Sequence, residues 1–166
     1  LREANIIDAL KPVYRYVPSI IAKCDDHDVL GCDFYIMEKL TGIIPRQNMP
    51  KELNMSEADT RSLCLNVIDK LIELHQVDVK AAGLDSLGKG DGYVARQING
   101  WSDRYIKAKT DDATDFQTVM DWLKSNMPAD VGQCLIHNDF RLDNVVLETQ
   151  NPLNVIGVLD WELATL

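Results

Sequence analysis

Ile136-His137-Asn138-Asp139-Phe140-Arg141-Leu142-Asp143-Asn144, followed by Gly157-Val158-Leu159-Asp160-Trp161-Glu162, is the part of the chain whose reading decides the rest. It contains an His-x-Asp, an Asn five residues after that Asp, and a further Asp at the end of an apolar run. These are the groups that phosphoryl transfer needs. One carboxylate meets a substrate hydroxyl, while an amide oxygen and a second carboxylate hold Mg²⁺ against nucleotide phosphates. Mg²⁺ takes oxygen ligands in near-octahedral geometry, keeps several waters and uses few protein groups, a demand that Asn144 and Asp160 meet.

The spacing also has a mechanical meaning. A short loop lets Asp139 and Asn144 point into one cleft, and residues 145–148 read as a strand leaving it. Residues 149–154 are rich in turn formers, and the apolar run 155–159 is expected to return antiparallel, carrying Asp160 back to the cleft. His-x-Asp with an Asn at this offset is a weak signal by itself, since polar turns use the same residues. The ordered addition of strand, turn, strand and Asp160 makes it specific.

Upstream, Ile6, Ile7 and Leu10 recur at helical spacing over residues 1–10, and Pro12 ends the pattern. Residues 19–22 and 34–37 read as two short strands of a hairpin. Asp25, Asp26, His27 and Asp28 lie between them and are read as a solvated turn in preference to a metal cluster. Ser56 has N-cap chemistry with acids in the following turn, and Leu63, Val67, Ile68, Leu71, Ile72 and Leu74 predict a core helix ending at His75. Gly83, Gly88, Gly90 and Gly92 could suggest a phosphate loop, but no Lys-Ser or Lys-Thr follows them, so a connector to a helix over residues 93–108 is the better reading. Asp115 is placed to cap a further helix containing Val119, Met120, Trp122 and Leu123, with Pro128 beyond its end. A few strands, then helices, then a late hairpin make the fold class α+β.

A resemblance covers nearly all of these residues. It rests on Arg2-Glu3, on Phe34-Tyr35-Ile36-Met37-Glu38-Lys39 with Gly42, and on Leu74-His75. It rests also on Gly92-Tyr93-Val94-Ala95-Arg96-Gln97 leading to Trp101-Ser102, on the 136–144 loop, and on Asp160-Trp161-Glu162-Leu163-Ala164-Thr165-Leu166. On these motifs the chain resembles the aminoglycoside and choline kinase-like phosphotransferase family, within it the subgroup related to acyl-CoA-dehydrogenase-associated kinase domains. The resemblance implies a protein kinase-like fold, mostly the helical C-terminal lobe. Residues 1–39 would be a remnant of the N-terminal lobe and hinge, and residues 40–166 a partial C-terminal lobe. The expected cofactors are ATP and Mg²⁺, with a small-molecule hydroxyl as acceptor.

It implies roles as well. Asp139 would orient or accept the proton of the attacking hydroxyl, His137 would brace the loop, and Asn144 and Asp160 would hold Mg²⁺. Arg141 would stabilise charge near the transferred phosphate or pair outward with a neighbour. Glu162 would assist a second metal or cap the strand end. Glu3 matches the acidic partner of a nucleotide-binding Lys, the alternative being an exposed helix carboxylate, and the backbone of Met37, Glu38 and Lys39 would meet the adenine edge. Arg96, Trp101 and Arg104 are candidate acceptor contacts. Two departures stand out: Asn138 occupies a position where the family commonly has Gly, and no Gly-rich loop or strand Lys precedes Leu1. The chain is therefore expected to be a fragment, poorly active alone. The subgroup favours a hydroxyacyl-CoA-like acceptor, with an aminoglycoside, a protein substrate or a nucleotide-binding pseudoenzyme as alternatives.

Composition sets bounds on partners. The 166 residues carry a net charge of −9, which argues against nucleic acid, whose phosphates call for a basic patch. It argues equally against a polybasic membrane anchor, and no apolar run approaches the roughly 20 residues of a membrane span. Cys24, Cys32, Cys64 and Cys134 form no Cys-x-x-Cys pair, so zinc is not expected. Free buried thiols in a reducing compartment, the cytoplasm, are the expected state.

Overall fold

In the computed structural model, which describes residues 1–46 and 48–166, the first helix is α1 (Arg2–Leu10), and it buries Ala4, Ile6, Ile7 and Leu10. Pro12 cannot continue its hydrogen-bond ladder. The chain instead runs as a strap over residues 11–19 that buries Tyr14, Tyr16 and Val17 and is pinned by a 2.6 Å bond from the Val158 N–H to the Tyr16 carbonyl. Strands β1 (Ile20–Cys24) and β2 (Phe34–Met37) then pair antiparallel, with Ile20 opposite Met37 and Cys24 opposite Phe34. The acidic cluster between them is structured. Asp26 accepts the Asp28 N–H at 2.9 Å, starting a one-turn helix α2 (His27–Leu30) that ends at Gly31 with φ +79°, and His27 pairs with Asp33 at 2.8 Å.

Helix α3 (Glu57–His75) begins with a complete capping box, the Ser56 hydroxyl accepting the Asp59 N–H and the Asp59 carboxylate accepting the Ser56 N–H. Its buried stripe is Leu63, Val67 and Leu74. Ile68 and Ile72, expected in the core, are about half exposed (50% and 47%), because they lie on the stripe beside the one that faces the core. The expectation of buried thiols is corrected in the same way. All four cysteines are free, but Cys64, one step around α3 from Leu63, is exposed, and so is Cys32.

The late hairpin forms as read. Strands β3 (Val145–Leu147) and β4 (Val155–Val158) pair antiparallel, with Val145 opposite Val158, and most of their side chains are buried. Two glycines let residues 40–43 lie flat across this hairpin. A Cβ on Gly42 would overlap the Leu147 carbonyl and the Val146 side chain, and one on Gly157 would overlap Leu40. Only hydrogen fits there, and Ile43 then bridges Leu147.

Residues 1–87 with 134–166 make one compact unit and residues 88–133 another. The second consists of α4 (Tyr93–Ala108) and α5 (Gln117–Ser125). The α4 N-terminus is closed by the Asp130 carboxylate, which accepts the N–H groups of Gly92 (2.5 Å) and Val94 (3.3 Å). That carboxylate fills the place an anion would take. Asp115 accepts the Gln117 N–H at the start of α5. Two two-stranded antiparallel sheets among helices give the α+β class expected. Among the described residues, no helix is long and apolar enough to cross a membrane.

Candidate active site

The loop 137–144 is folded around a buried imidazole. His137 is 1% exposed, lies 4.5 Å centre to centre from the Trp161 ring and edge-on to Phe140 at 5.8 Å. Its Nδ1 accepts the Asp139 N–H at 3.3 Å, so the neutral ring carries its proton on Nε2 and donates it to the Leu159 carbonyl at 2.9 Å. Burial holds its pKa below the ordinary imidazole value, against the opposing pull of the Leu159 carbonyl and the carboxylates of Asp160 and Asp139. His137 therefore ties the loop to the end of β4 as a neutral brace.

Asn144 closes the other side. A turn over Leu142–Asn144 presents its amide, whose Nδ2 donates to the Asp139 carbonyl and to the Asp139 carboxylate, both at 3.0 Å, and lies 3.5 Å from the Asp160 carboxylate. The Leu159 N–H donates to the Asn144 carbonyl at 2.8 Å, locking the loop to the strand that delivers Asp160. The amide nitrogen of Asn144 is the atom that faces both carboxylates, and the same amide carries the oxygen, Oδ1, that could ligate a metal beside Asp160. That pair suits Mg²⁺, a hard ion that takes few protein ligands. Among the described residues no group of three or more His, Cys, Asp or Glu side chains is gathered as a metal site.

Two residues here have left-handed backbone, Asn138 with φ +69° and Asp160 with φ +68°. This conformation costs an L-residue roughly 1–2 kcal/mol except at Gly, with Asn and Asp the best tolerated of the others. It explains how Asn138 fills a position where Gly is common. At Asp160 it turns the carboxylate out of the strand, the kind of strain that collects at functional sites.

Residues from α1, far away in sequence, hold the segment after Asp160. Glu3 accepts the Trp161 N–H through Oε1 at 3.0 Å and the Tyr35 hydroxyl through Oε2 at 2.6 Å. Arg2 donates to the carbonyls of Glu162 (2.7 Å) and Ala164 (2.6 Å). Burial, then the bond to Glu3, raises the Tyr35 pKa well above the ordinary phenol value, so this hydroxyl stays a donor. Sequence motifs point to Glu3 as a site residue but assign no task to Tyr35, to Trp161 or to the Arg2 guanidinium. Their partners lie 32 to 162 residues away, beyond the reach of local pattern.

The remaining candidates fall into place as follows. Arg141 is exposed, with its guanidinium paired to Asp143, the outward of its two expected arrangements. Glu162 has an exposed side chain. In the expected hinge stretch the Glu38 N–H donates to the Ser19 carbonyl at 2.8 Å, and the Glu38 carboxylate accepts the Ser19 N–H, which lowers its pKa. Met37 and Lys39 are exposed beside it. In the second unit, Arg96 fastens the Gly-rich connector through the carbonyls of Asp91 and Gly90. Arg104 stacks on Trp101 at 4.6 Å.

Comparison with known proteins agrees with this geometry. Acyl-CoA dehydrogenase family member 11 from Homo sapiens is 36% identical over 99% of this chain, and the chain spans 21% of that protein. A solved Ralstonia eutropha JMP134 protein assigned to the aminoglycoside phosphotransferases superposes with a TM-score of 0.88 at 34% identity, over 99% of this chain and 50% of that one. The GDP complex of aminoglycoside 2'-phosphotransferase-IIIa shares the fold, with a TM-score of 0.66 at 19% identity over 99% of this chain and 57% of its own. The profile of the phosphotransferase enzyme family matches residues 1–166. With the loop and the hairpin inside a match that runs over residues 1–166, the chain belongs to that phosphotransferase (APH) family and has its protein kinase-like fold.

Proposed function

We propose that these residues form the catalytic loop and metal-binding hairpin of an ATP- and Mg²⁺-dependent phosphotransferase that moves the γ-phosphate to a hydroxyl of a small molecule. The observation that carries the reading is the convergence of Asp139, Asn144 and Asp160, with one amide bonded to the first carboxylate and 3.5 Å from the second. Family membership supports it, and the GDP bound by a protein of the same fold is consistent with nucleotide use.

In this reading Asp139 receives or orients the hydroxyl proton, and its carboxylate is aimed by the Asn144 amide. Phosphoryl-transfer transition states are loose, so positioning matters more than the strength of the base. Mg²⁺ held by Asn144 Oδ1 and the Asp160 carboxylate would supply charge neutralisation for the nucleotide phosphates, and Glu162 is the nearby carboxylate for a second ion. His137 holds the loop on β4, and Arg2 and Glu3 hold the segment that follows Asp160. The nucleotide base would meet the backbone of Met37, Glu38 and Lys39, using groups other than the Glu38 N–H. Arg141, paired with Asp143, reaches a transferred phosphate only after leaving that pair. The acceptor we favour is a hydroxyacyl-CoA-like metabolite, on the strength of likeness to acyl-CoA dehydrogenase family proteins.

The test is ATP turnover by the full-length protein with Mg²⁺ against hydroxyacyl-CoAs, aminoglycosides and choline-like alcohols. Turnover with one acceptor class, reduced about 10²- to 10⁴-fold by Asp139→Asn with nucleotide binding retained, is the expected result. Turnover unaffected by that substitution contradicts the role given to Asp139.

A further inference from the structure

Within the first unit, on the strap between α1 and β1, lies a cavity of about 470 Å³ bounded by Arg15 and Tyr16, by Asn66 and Lys70 of α3, and by the β3–β4 turn with Glu148 and Asn154. Its size is that of a small-molecule site. Two cations converge on one phenol there. The Arg15 guanidinium donates to the Tyr16 hydroxyl at 2.9 Å and its carbon lies 5.0 Å from the ring centre. The Lys70 ammonium lies 4.8 Å from the same centre. Tyr16 itself is 4% exposed.

The charges are unevenly settled. Lys70 is paired with Glu73. Glu148, the acid on the cavity wall, accepts the Asn154 amide at 2.9 Å. Arg15 has no carboxylate within ion-pair distance among the described residues, although the chain carries nine more acidic than basic charges. Its guanidinium has five N–H donors in a fork that fits carboxylate or phosphate oxygens, and among the described residues its hydrogen-bond partner, the Tyr16 hydroxyl, engages a single nitrogen. Leu153, Val155 and Ile156 add an apolar wall beside this cationic edge.

We propose that this cavity binds a small organic anion, its carboxylate or phosphate oxygens held by Arg15 with Lys70 and its body against the Tyr16 side of the cavity. The site is separate from the Asp139–Asn144–Asp160 cleft and does not depend on the phosphotransferase reading. It is joined to that cleft by packing. Tyr16 meets Tyr14 edge-on at 5.3 Å, Tyr14 meets Trp161 at 5.9 Å, and Trp161 meets His137 at 4.5 Å. An occupant touching Tyr16 is thus one continuous column of rings away from the catalytic loop.

The experiment is calorimetric titration of the full-length protein with inorganic phosphate and, separately, with succinate, at an ionic strength held constant with sodium chloride. Saturable binding of at least one probe is expected. Arg15→Gln should weaken it by about tenfold or more, as loss of a charge-assisted fork does. Arg15→Lys keeps the charge without the fork and should weaken it less. Which probe binds assigns the head group as phosphate or carboxylate. Absence of saturable binding by both, or binding equally tight in folded Arg15→Gln and Arg15→Lys, overturns the proposal.

Discussion

Glu3 and Trp161, 158 residues apart, are joined by a 3.0 Å hydrogen bond from the Trp161 backbone N–H to the Glu3 carboxylate. The other oxygen of that carboxylate accepts the Tyr35 hydroxyl. One side chain on α1 thereby fixes both β2 and the residue that follows Asp160, so the candidate metal carboxylate is held from behind by its neighbour's backbone.

Glu3→Gln keeps the shape and removes the charge. Replacing charge-assisted bonds by neutral ones should lower stability by about 1–2 kcal/mol, read from the shift in urea midpoint. Phosphate transfer should fall more than nucleotide affinity does, because Asp160 is left in place but less firmly held. Equal stability of Glu3→Gln and wild type would remove Glu3 from this positioning role.

Asn138 tests the backbone of the loop. Asn138→Gly and Asn138→Ala both lose the 3.3 Å bond from the Asn138 amide to the Leu163 carbonyl, but at φ +69° the alanine variant should be about 1–2 kcal/mol less stable than the glycine one for the left-handed conformation. Thermal melts of the two variants check this. An alanine variant as stable as the glycine one would show that the loop does not need the positive φ.

His137 sets a pH dependence. Burial depresses its folded pKa relative to the ordinary value of about 6.5 expected when unfolded. Between the folded and unfolded values the unfolded chain binds more protons, so stability rises with pH through that window and levels off above about 6.5. Acidification below this point should destabilise the protein, and the slope should diminish in His137→Gln. Urea midpoints at a series of pH values from 7 downward measure it, and an unchanged slope in the variant would assign the titration to another group.

Gly42 lies against the Leu147 carbonyl and the Val146 side chain with no room for a methyl group. Gly42→Ala should therefore push residues 40–43 off the β3–β4 hairpin and cost about 1–3 kcal/mol, as overpacking does. Gly100, where a Cβ meets nothing within 4 Å, is the control, since alanine there should stabilise α4 by up to about 1 kcal/mol. Thermal melts compare the two.

Much of the fold was legible because it is encoded locally. Periodicity gave α1, α4 and the extent of α3, Ser56 with Asp59 marked the α3 start, and turn formers between apolar runs marked both hairpins. The spacing of Asp139, Asn144 and Asp160 was legible for the same reason, since one short loop and one hairpin join all three. What local pattern could not carry was tertiary choice. Ile68 and Ile72 have the same spacing as the core residues of α3, and only packing selects Leu63 and Val67 instead. The one-turn helix α2 depends on the Asp26 side chain competing for its own backbone, which composition alone reads as a solvated turn. The grip of Arg2 and Glu3 on residues 161–164 joins groups 158 to 162 residues apart, so no local stretch contains both partners.

The proposed hold of Asp160 and Asn144 on the metal of a Mg²⁺-ATP complex is tested by ATP binding to the full-length protein with and without Mg²⁺, in wild type and in Asp160→Asn. Mg²⁺ should tighten wild-type binding by about tenfold or more, a difference of about 1.4 kcal/mol, and the substitution should abolish that gain. ATP binding that is indifferent to Mg²⁺, or a Mg²⁺ effect that survives in Asp160→Asn, would contradict the account.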